Sequence, residues 1–164
     1  MYVRQIPIGK TVSVSQTRPN DTTAYAALDV VGQGPAANIV FSNIVADEGG
    51  AFVIFGARLR IDVAAVPAGM SNFRLHLYNA APTAIADNAA YNLPAADRAK
   101  YLGYVEISGL LDIGDTLWAE TDNINFTGKL AAASTTLYGI LQTVAAYTPT
   151  ASVVKTVTLT IAAV

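Results

Sequence analysis

The stretch Ser71–Tyr78, Ser-Asn-Phe-Arg-Leu-His-Leu-Tyr, lies near the middle of the chain and alternates apolar with polar side chains. One face of an extended segment would hold Phe73, Leu75 and Leu77, and the other would hold Arg74, His76 and Tyr78. Because successive side chains of a strand point to opposite faces, the pattern predicts a half-buried β-strand. The stretch also contains the only histidine, so any polar chemistry is expected here first.

Extended segments separated by turn signals recur along the whole chain. Gly, Pro, Asn and Asp cluster at Arg18–Asp21, Gly32–Pro35, Asp47–Gly50 and Pro67–Gly69. The other candidate strands are Tyr2–Ile8, Thr11–Gln16, Tyr25–Gly32, Asn38–Ala46, Ala51–Val63, Tyr101–Ser108, Leu117–Phe126, Leu137–Val144 and Val153–Ala162. So many short strands with almost no helix predict an all-β fold, an antiparallel β-sandwich of the jelly-roll type. Residues 1–18 form an arm and the first strand, and residues 19–164 form one sandwich domain.

Two candidate strands show which side chains should face the core. The longest, Ala51–Val63, has an apolar face of Val53, Phe55, Ala57, Leu59, Ile61 and Val63. Its opposite face begins apolar and ends charged, which predicts a strand that runs from the interior of the sandwich to its rim. The last strand places Lys155 on its apolar face, in phase with Val153, Val157, Leu159 and Ile161, and places Thr156, Thr158 and Thr160 opposite.

The strand pattern fails over Asn79–Lys100, where only Pro94–Lys100 looks helical, with the proline near the first turn. Fixing the backbone of such a loop costs about 1–2 kcal/mol per residue, so an ordered loop needs partners. We expect it to be ordered and to form part of an intersubunit or lattice contact. Tyr91 and Leu93 would supply apolar area, and Asp97, Arg98 and Lys100 would supply a polar rim. The alternative is a loop folded over its own sheet.

Composition indicates a chain that works by covering surface. With 164 residues it suits one domain. Its net charge of −2 argues against a protein whose main task is to neutralise nucleic-acid phosphates. Charged residues make up 13% and hydrophobic residues 52%, whereas average soluble domains carry about 25% charged residues. A monomer of this kind is poorly protected against association, so we expect a homo-oligomer, with a trimer as the leading choice.

The N-terminal arm, Met1–Lys10, is predicted to contact a neighbouring subunit or a shell. Pro7 cannot donate a ladder hydrogen bond, and terminal segments need to be tied down to be ordered. The apolar side chains Tyr2, Ile6 and Ile8 need cover. No signal-peptide core is present, and the uncharged run Leu130–Val154 is too interrupted to span a bilayer, so we expect a soluble protein without a membrane partner.

No set of residues predicts catalysis or a cofactor. Cysteine is absent, which excludes disulfides, thiolate catalysis and Cys-based metal sites. His76 has no Gly-x-Ser-x-Gly nucleophile to serve, and Glu106 and Glu120 have no evident carboxylate partner. The protein is therefore not expected to be an enzyme.

Two further motifs have simpler interpretations. The segment Gly32–Ala37 resembles a dinucleotide fingerprint, but that motif requires a helix next, and the following residues predict a strand; a plain turn is favoured. The oxygen ligands of Asp112, Asp115, Asp122, Asn123 and Asn125 suit calcium, yet their spacing matches no EF-hand loop. Turn formation is favoured here as well, and ion binding stays open.

Several segments together resemble small structural proteins encoded by tailed bacteriophages. They are Arg18-Pro19, Thr23–Ala27, Asp29–Gly32, Phe73–Thr83, Ile85–Asn88, Gly103-Tyr104 and Tyr138–Leu141. The resemblance implies a virion component, with a head decoration or cement protein as the preferred role. Such proteins are often trimeric β-sandwiches on the outer surface of the capsid, bound to the major capsid protein and made in the bacterial cytoplasm. The family pattern carries no catalytic residue.

Other roles stay open. A tail, neck or fibre component fits the same resemblance. A carbohydrate-binding jelly roll would place exposed aromatics beside Asp and Asn on one rim, and Trp118 with Asp115, Asp122 and Asn125 fits that description. The tyrosines Tyr78, Tyr91, Tyr101 and Tyr104 bracket the long loop and suit either an interface or packing of the loop onto its own sandwich.

Overall fold

The computed structural model describes residues 9–36 and 38–164, and these residues form nine strands in two antiparallel sheets. The strands are β1 (Lys10–Thr17), β2 (Ile39–Phe41), β3 (Ala51–Ile61), β4 (Phe73–Tyr78), β5 (Tyr101–Ile107), β6 (Leu111–Asp112), β7 (Leu117–Lys129), β8 (Leu137–Thr143) and β9 (Val154–Ala163). In this part of the chain the only helix is a single 3-10 turn, Ala95–Asp97, preceded by Pro94.

The strand order confirms the predicted jelly roll. One sheet runs β1-β9-β3-β7-β6 and the other β2-β8-β4-β5. Without the two-residue strand β6, the two sheets have the orders β1-β9-β3-β7 and β2-β8-β4-β5. These two four-stranded sheets are the eight-stranded double Greek key of a jelly roll. Most neighbours in the sheets are therefore far apart in sequence, as in the pairing of β1 with β9.

The core lies between the two sheets, and its residues from β4 and β9 are those that the alternating pattern of these strands predicts. Phe73, Leu75 and Leu77 of β4 are fully buried, and Leu159 and Ile161 of β9 meet them from the other sheet. Each such side chain contributes about 1.5–3 kcal/mol when it is buried. Outward-facing threonines alternate with the buried residues of β9, so the five-stranded sheet presents hydroxyl groups to solvent.

Strand β3 departs from the predicted alternation because it contains a β-bulge. Its register shifts between Ile54 and Gly56 against both neighbours, β7 and β9. Phe52 and Ile54 point inward before the bulge, whereas Ala57, Leu59 and Ile61 point inward after it. The prediction that Phe55 shares the buried face is wrong: its side chain is 36% exposed. The bulge, and not the rim of the sandwich, explains why the opposite face changes from apolar to charged.

Two further strand predictions are also wrong. Segment Tyr25–Gly32 makes only isolated bridges, including Tyr25 with Tyr147 and Val30 with Gln142, because Leu28 has a left-handed φ of 70° that breaks an extended run. The longest strand is β7, with 13 residues, and not β3, with 11.

The long loop 79–100 folds back over its own four-stranded sheet. Tyr91 and Leu93 pack with Val30, Tyr78 and Ile140 in a second apolar cluster on the outer side of that sheet. Together with the loop that joins β1 to β2, it makes a third layer over the sandwich. The side of the central strand that was predicted to be exposed is therefore covered, and His76 and Tyr78 are buried.

Candidate functional site

A buried polar network joins the two long loops to the sandwich. The Arg18 Nε donates to the Tyr25 hydroxyl at 2.9 Å, and that hydroxyl donates to Asp87 Oδ1 at 2.6 Å. The backbone N–H of Gly32 donates to the same carboxylate oxygen at 2.7 Å. Asp87 comes from the loop 79–100, whereas its three partners come from the segment after β1. One carboxylate therefore holds both loops in place.

The guanidinium of Arg18 is satisfied almost entirely within this network. Its Nη2 donates to Asp21 Oδ1 at 2.9 Å and to the Thr23 carbonyl at 3.0 Å, and its Nη1 donates to the Asp21 carbonyl. The Arg18 side chain is 2% exposed, and Asp87 Oδ2 lies 3.9 Å from Nε. Removing Asp87 would leave Arg18 with the carboxylate of the more exposed Asp21 and would leave the Tyr25 hydroxyl and the Gly32 N–H without an acceptor, which is costly for buried groups.

Lys155 lies next to this network on the inner side of the five-stranded sheet. Its Nζ donates to the Gly32 carbonyl at 3.2 Å. Burial lowers the pKa of Lys155 to about 8, the nearby carboxylate of Asp87 raises it, and the guanidinium of Arg18 lowers it. In the sequence, the sign of this buried charge is that Lys155 is in phase with the apolar residues of β9. The structure places the Lys155 amine in the interior.

His76 lies in a tyrosine cluster on the outer side of the four-stranded sheet. Its ring stacks on Tyr91, with centroids 3.8 Å apart. The Gln142 Nε2 donates a hydrogen bond to the Leu28 carbonyl, so its Oε1 faces His76 Nε2 at 3.0 Å. Because an amide oxygen can only accept, His76 donates its Nε2–H to this oxygen. In the neutral ring Nδ1 then accepts from the Tyr101 hydroxyl at 3.0 Å. Burial lowers the pKa of His76, the bond to Gln142 raises it and the charge of Arg74 lowers it.

This geometry gives His76 a packing role. Both ring nitrogens are occupied by hydrogen bonds, and its nearest hydroxyl, on Tyr101, belongs to a residue whose pKa is raised to about 12, first by burial. A raised pKa makes the phenol a poorer nucleophile at neutral pH. The arrangement fixes the side chains of the loop against the sheet.

The loop 79–100 is also held by its acidic residue Asp97, which is buried, so the prediction that Asp97 belongs to the polar rim of the loop is wrong. Asp97 Oδ2 accepts from the Thr83 N–H at 2.8 Å, and Oδ1 accepts from Lys100 Nζ at 2.8 Å. The bond with Lys100, followed by that with Thr83, lowers the pKa of Asp97 to about 2. Lys100 also donates to the Ala81 carbonyl, so it is partly used within the loop, whereas Arg98 is exposed.

The proposed interface residues thus fall into three groups. Tyr91 and Leu93 are half-buried against their own sheet, Arg98 and Lys100 lie at the loop surface, and Tyr2, Ile6 and Ile8 lie outside the described residues. The structure brings the first four together on one loop. Their role in contacts between subunits stays a prediction.

Three of the acidic residues considered for metal binding or catalysis, Asp112, Glu106 and Glu120, are used locally, whereas Asp115 and Asp122 are exposed. Asp112 Oδ1 accepts from the Gly114 N–H in a turn, and Asn123 and Asn125 adopt left-handed φ angles of 57° and 50°. Glu120 pairs with Arg58 at 2.8 Å, and Glu106 lies 3.8 Å from Arg74. Over residues 9–36 and 38–164 no three His, Cys, Asp or Glu side chains could hold a metal ion together.

The turn at Gly32–Pro35 does bind an anion, but the anion is the chain's own carboxylate. Gly32 donates its N–H to Asp87, and Gly34 accepts from the Asp87 N–H at 2.8 Å. The next element is strand β2 and not a helix, so the plain-turn interpretation is the one that the structure supports. None of the described helices is long and apolar enough to cross a membrane.

Three exposed aliphatic side chains, those of Val66, Leu111 and Ile113, lie at one end of the sandwich. Leu111 and Ile113, in the hairpin before β7, are 59% and 57% exposed. Val66 is exposed in the loop after β3, and the pairing of Ile61 with Leu117 puts this loop and the hairpin at the same end. Contiguous exposed apolar surface is typical of interaction sites, so this end is the candidate docking surface.

No family model and no curated protein matches the chain. Among solved structures, the capsid of Ralstonia phage GP4 is similar with 13% identity and a TM-score of 0.43, over 98% of this chain and 88% of that chain. A lipoprotein from Bacteroides thetaiotaomicron has 10% identity and a TM-score of 0.33, over 93% and 81%. Tomato aspermy virus has 9% identity and a TM-score of 0.32, over 100% and 83%. These likenesses concern the overall fold.

Asp87→Ala is expected to lower the free energy of unfolding by about 3–5 kcal/mol, because it leaves the buried Tyr25 hydroxyl and the Gly32 N–H without their acceptor and removes one of the two carboxylates that face Arg18. The matched control is Asp21→Ala, which removes a second carboxylate from Arg18; the side chain of Asp21 is 48% exposed and that of Asp87 only 5%. Asp21→Ala should therefore cost much less in urea denaturation. Equal losses for the two variants would contradict the central role of Asp87.

Lys155→Met should remove a specific pH dependence of stability. The folded-state pKa of about 8 lies below the ordinary value of 10.5, so between these values the unfolded chain binds a proton that the folded chain has lost. The free energy of unfolding of the parent protein should therefore rise with pH across this window, by at most about 3 kcal/mol. Denaturant titrations at pH 8 and pH 10 should show this rise in the parent protein and in the exposed-site control Lys129→Met. An equal rise in Lys155→Met would contradict the assignment.

Proposed function

We propose that this chain is a structural protein of a tailed-phage virion that binds the outer surface of the capsid lattice as a decoration or cement protein. The observation that carries the proposal is the exposed aliphatic end formed by Val66, Leu111 and Ile113 on a weakly charged sandwich. The other large apolar surface, on the outside of the four-stranded sheet, is covered by the chain's own loops. A protein built in this way offers a rigid surface for docking.

The resemblance to phage structural proteins supports the same role because it rests on residues that hold the fold together. Arg18, Tyr25 and Asp87, which lie in three of the resembling segments, form one buried network. Tyr78, in a fourth, donates to or accepts from Tyr91 at 2.7 Å and so fixes the long loop. These residues act by keeping the surface loops in one conformation, as a lattice-binding protein requires.

A cement protein needs no chemistry beyond binding. When a protein binds the assembled shell and not its free subunits, mass action stabilises the assembled state. The major capsid protein is the proposed partner, and a stable contact would bury about 1,200–2,000 Å². Because His76 is saturated with hydrogen bonds and the two glutamates pair with arginines, the described residues favour a binding role over an enzymatic one.

Binding to the shell can be tested with heads assembled from the major capsid protein encoded in the same genome, prepared without this chain. We expect the protein to cosediment with these heads. The double variant Leu111→Ser/Ile113→Ser should bind about tenfold more weakly, because buried aliphatic contacts are lost at an interface. The control Val40→Thr, at an exposed position of strand β2, should bind as well as the parent protein.

The same experiment separates the alternative placements. Failure to cosediment with heads, together with detection of the chain in purified neck or tail fractions, would overturn the decoration role in favour of a neck, tail or fibre role. Unchanged binding by the double variant would show that a different surface makes the contact.

The predicted trimer and its N-terminal arm can be tested together. Light scattering at micromolar concentration should return a homotrimer. Deletion of residues 1–8 keeps Lys10, whose Nζ donates to the Asn43 carbonyl, and keeps the whole of β1. We expect this variant to retain its circular dichroism spectrum and to lose trimer stability or head binding. A monomeric parent protein would contradict the predicted oligomer, and an unfolded deletion variant would contradict the assignment of residues 1–8 to contacts outside the subunit.

A further inference from the structure

The outer face of the five-stranded sheet is the sheet face that the long loops leave open. The registers place its outward side chains in rows across the strands. The rows are Thr11-Thr160-Gly56-Asp122, Ser13-Thr158-Arg58-Glu120 and Ser15-Thr156-Arg60-Trp118. Hydroxyl groups bond to each other across β1 and β9, as in Ser13 with Thr158 at 2.8 Å. This regular face has one gap, at Gly56.

The gap is a depression that the bulge creates. It encloses about 330 Å³ and is lined by Phe55, Gly56, Arg58, Asp122, Asn123 and Thr160. Gly56 does not have a left-handed φ, so its backbone angle does not demand glycine; a Cβ there would lie 3.1 Å from Asp122 Oδ1 and would enter the space. The bulge turns the Phe55 ring outward at the edge of the same depression.

The polar groups around the depression lie on the paired strands β3 and β7. Glu120 holds the Arg58 guanidinium at 2.8 Å. Asp122 and Asn123 are exposed, and Asn123 has a left-handed φ of 57° in the part of β7 where the register shifts.

We propose that this depression is a binding subsite for a neutral pyranose unit of a glycan. A pyranose ring has an apolar C–H face, which suits the exposed Phe55 ring, and an edge of hydroxyl groups that both donate and accept. The Asp122 carboxylate accepts from two such hydroxyls, whereas the Asn123 amide and the Arg58 guanidinium donate to others. The volume matches the lower range of small-molecule sites. The lining is one aromatic ring among mostly polar groups, which suits a ligand that carries several hydroxyl groups.

Charge selects the class of ligand. The Asp122 carboxylate at the wall disfavours phosphate groups and acidic sugars, and Glu120 already neutralises Arg58. A divalent cation would need more carboxylates than the single one that lines the depression. The subsite lies on the sheet face and does not include the rim residues Asp115 and Asn125. It is independent of the aliphatic end, so it does not depend on the proposed capsid role.

The test is a titration of the isotopically labelled protein with methyl glycosides of neutral hexoses, followed by amide chemical shifts. With millimolar ligand, we expect shifts confined to residues near Phe55, Arg58, Asp122 and Thr160. Phe55→Ser and Asp122→Asn should each weaken binding at least about tenfold. Both side chains are exposed, so the variants should keep the parent spectrum elsewhere.

Two control variants match these changes. Tyr104→Ser removes another exposed aromatic ring, on the four-stranded sheet, and Asp115→Asn changes another exposed carboxylate; both should bind like the parent protein. The proposal is overturned if no neutral glycoside shifts these amides, if the shifts lie elsewhere, or if Phe55→Ser binds as tightly as the parent. Preferential binding of an acidic sugar would also overturn it.

Discussion

The buried carboxylate of Asp87 is the contact on which the surface of this protein depends. A jelly roll needs only its two sheets to form a core, but here two long loops lie over one of them and must be ordered against a large entropic cost. Asp87 offsets part of that cost because it accepts hydrogen bonds from Tyr25 and Gly32 and faces Arg18. Both loops are tied at one point.

The same contact decides which surfaces are left for function. The described loops cover part of the outer side of the four-stranded sheet, where Val40 and Tyr104 stay exposed. The two proposals use the end with Leu111 and Ile113 and the hydroxyl-rich outer face of the five-stranded sheet. The first is aliphatic and suits a protein partner, whereas the second is polar, with one depression at Gly56. The two proposals therefore use different sides of one rigid body, and each can fail without the other.

Sequence periodicity predicted the sheets well and the loops poorly. Alternation in β4 and β9 identified the residues that face the interior between the sheets, with Lys155 in phase with them, because each residue of an unbroken strand has a fixed facing direction. It did not predict that His76 and Tyr78 are buried on the other face of β4. Phe55 was assigned to the wrong face because a one-residue bulge reverses the alternation and leaves no composition signal when both faces are apolar. The apolar residues Leu28, Val30 and Val31 predict a strand in Tyr25–Gly32, but the segment makes only isolated bridges: Val30 packs in the outer cluster and Val31 in the main core.

Arg18 and Asp87 could not have been paired from sequence, since they lie far apart in the chain and are set in turn-like segments. Lys155 shows what would have been informative: a charged residue in phase with buried ones predicts that an acceptor or a counter-charge comes from elsewhere in the fold. The structure supplies the Gly32 carbonyl, and Asp87 favours the charged amine. The buried lysine at the start of β9 thus depends on the segment at Gly32, which Asp87 holds in place. A change at Asp87 should therefore reach beyond the loops, because it removes the anion that favours the buried lysine and leaves the repulsion of Arg18.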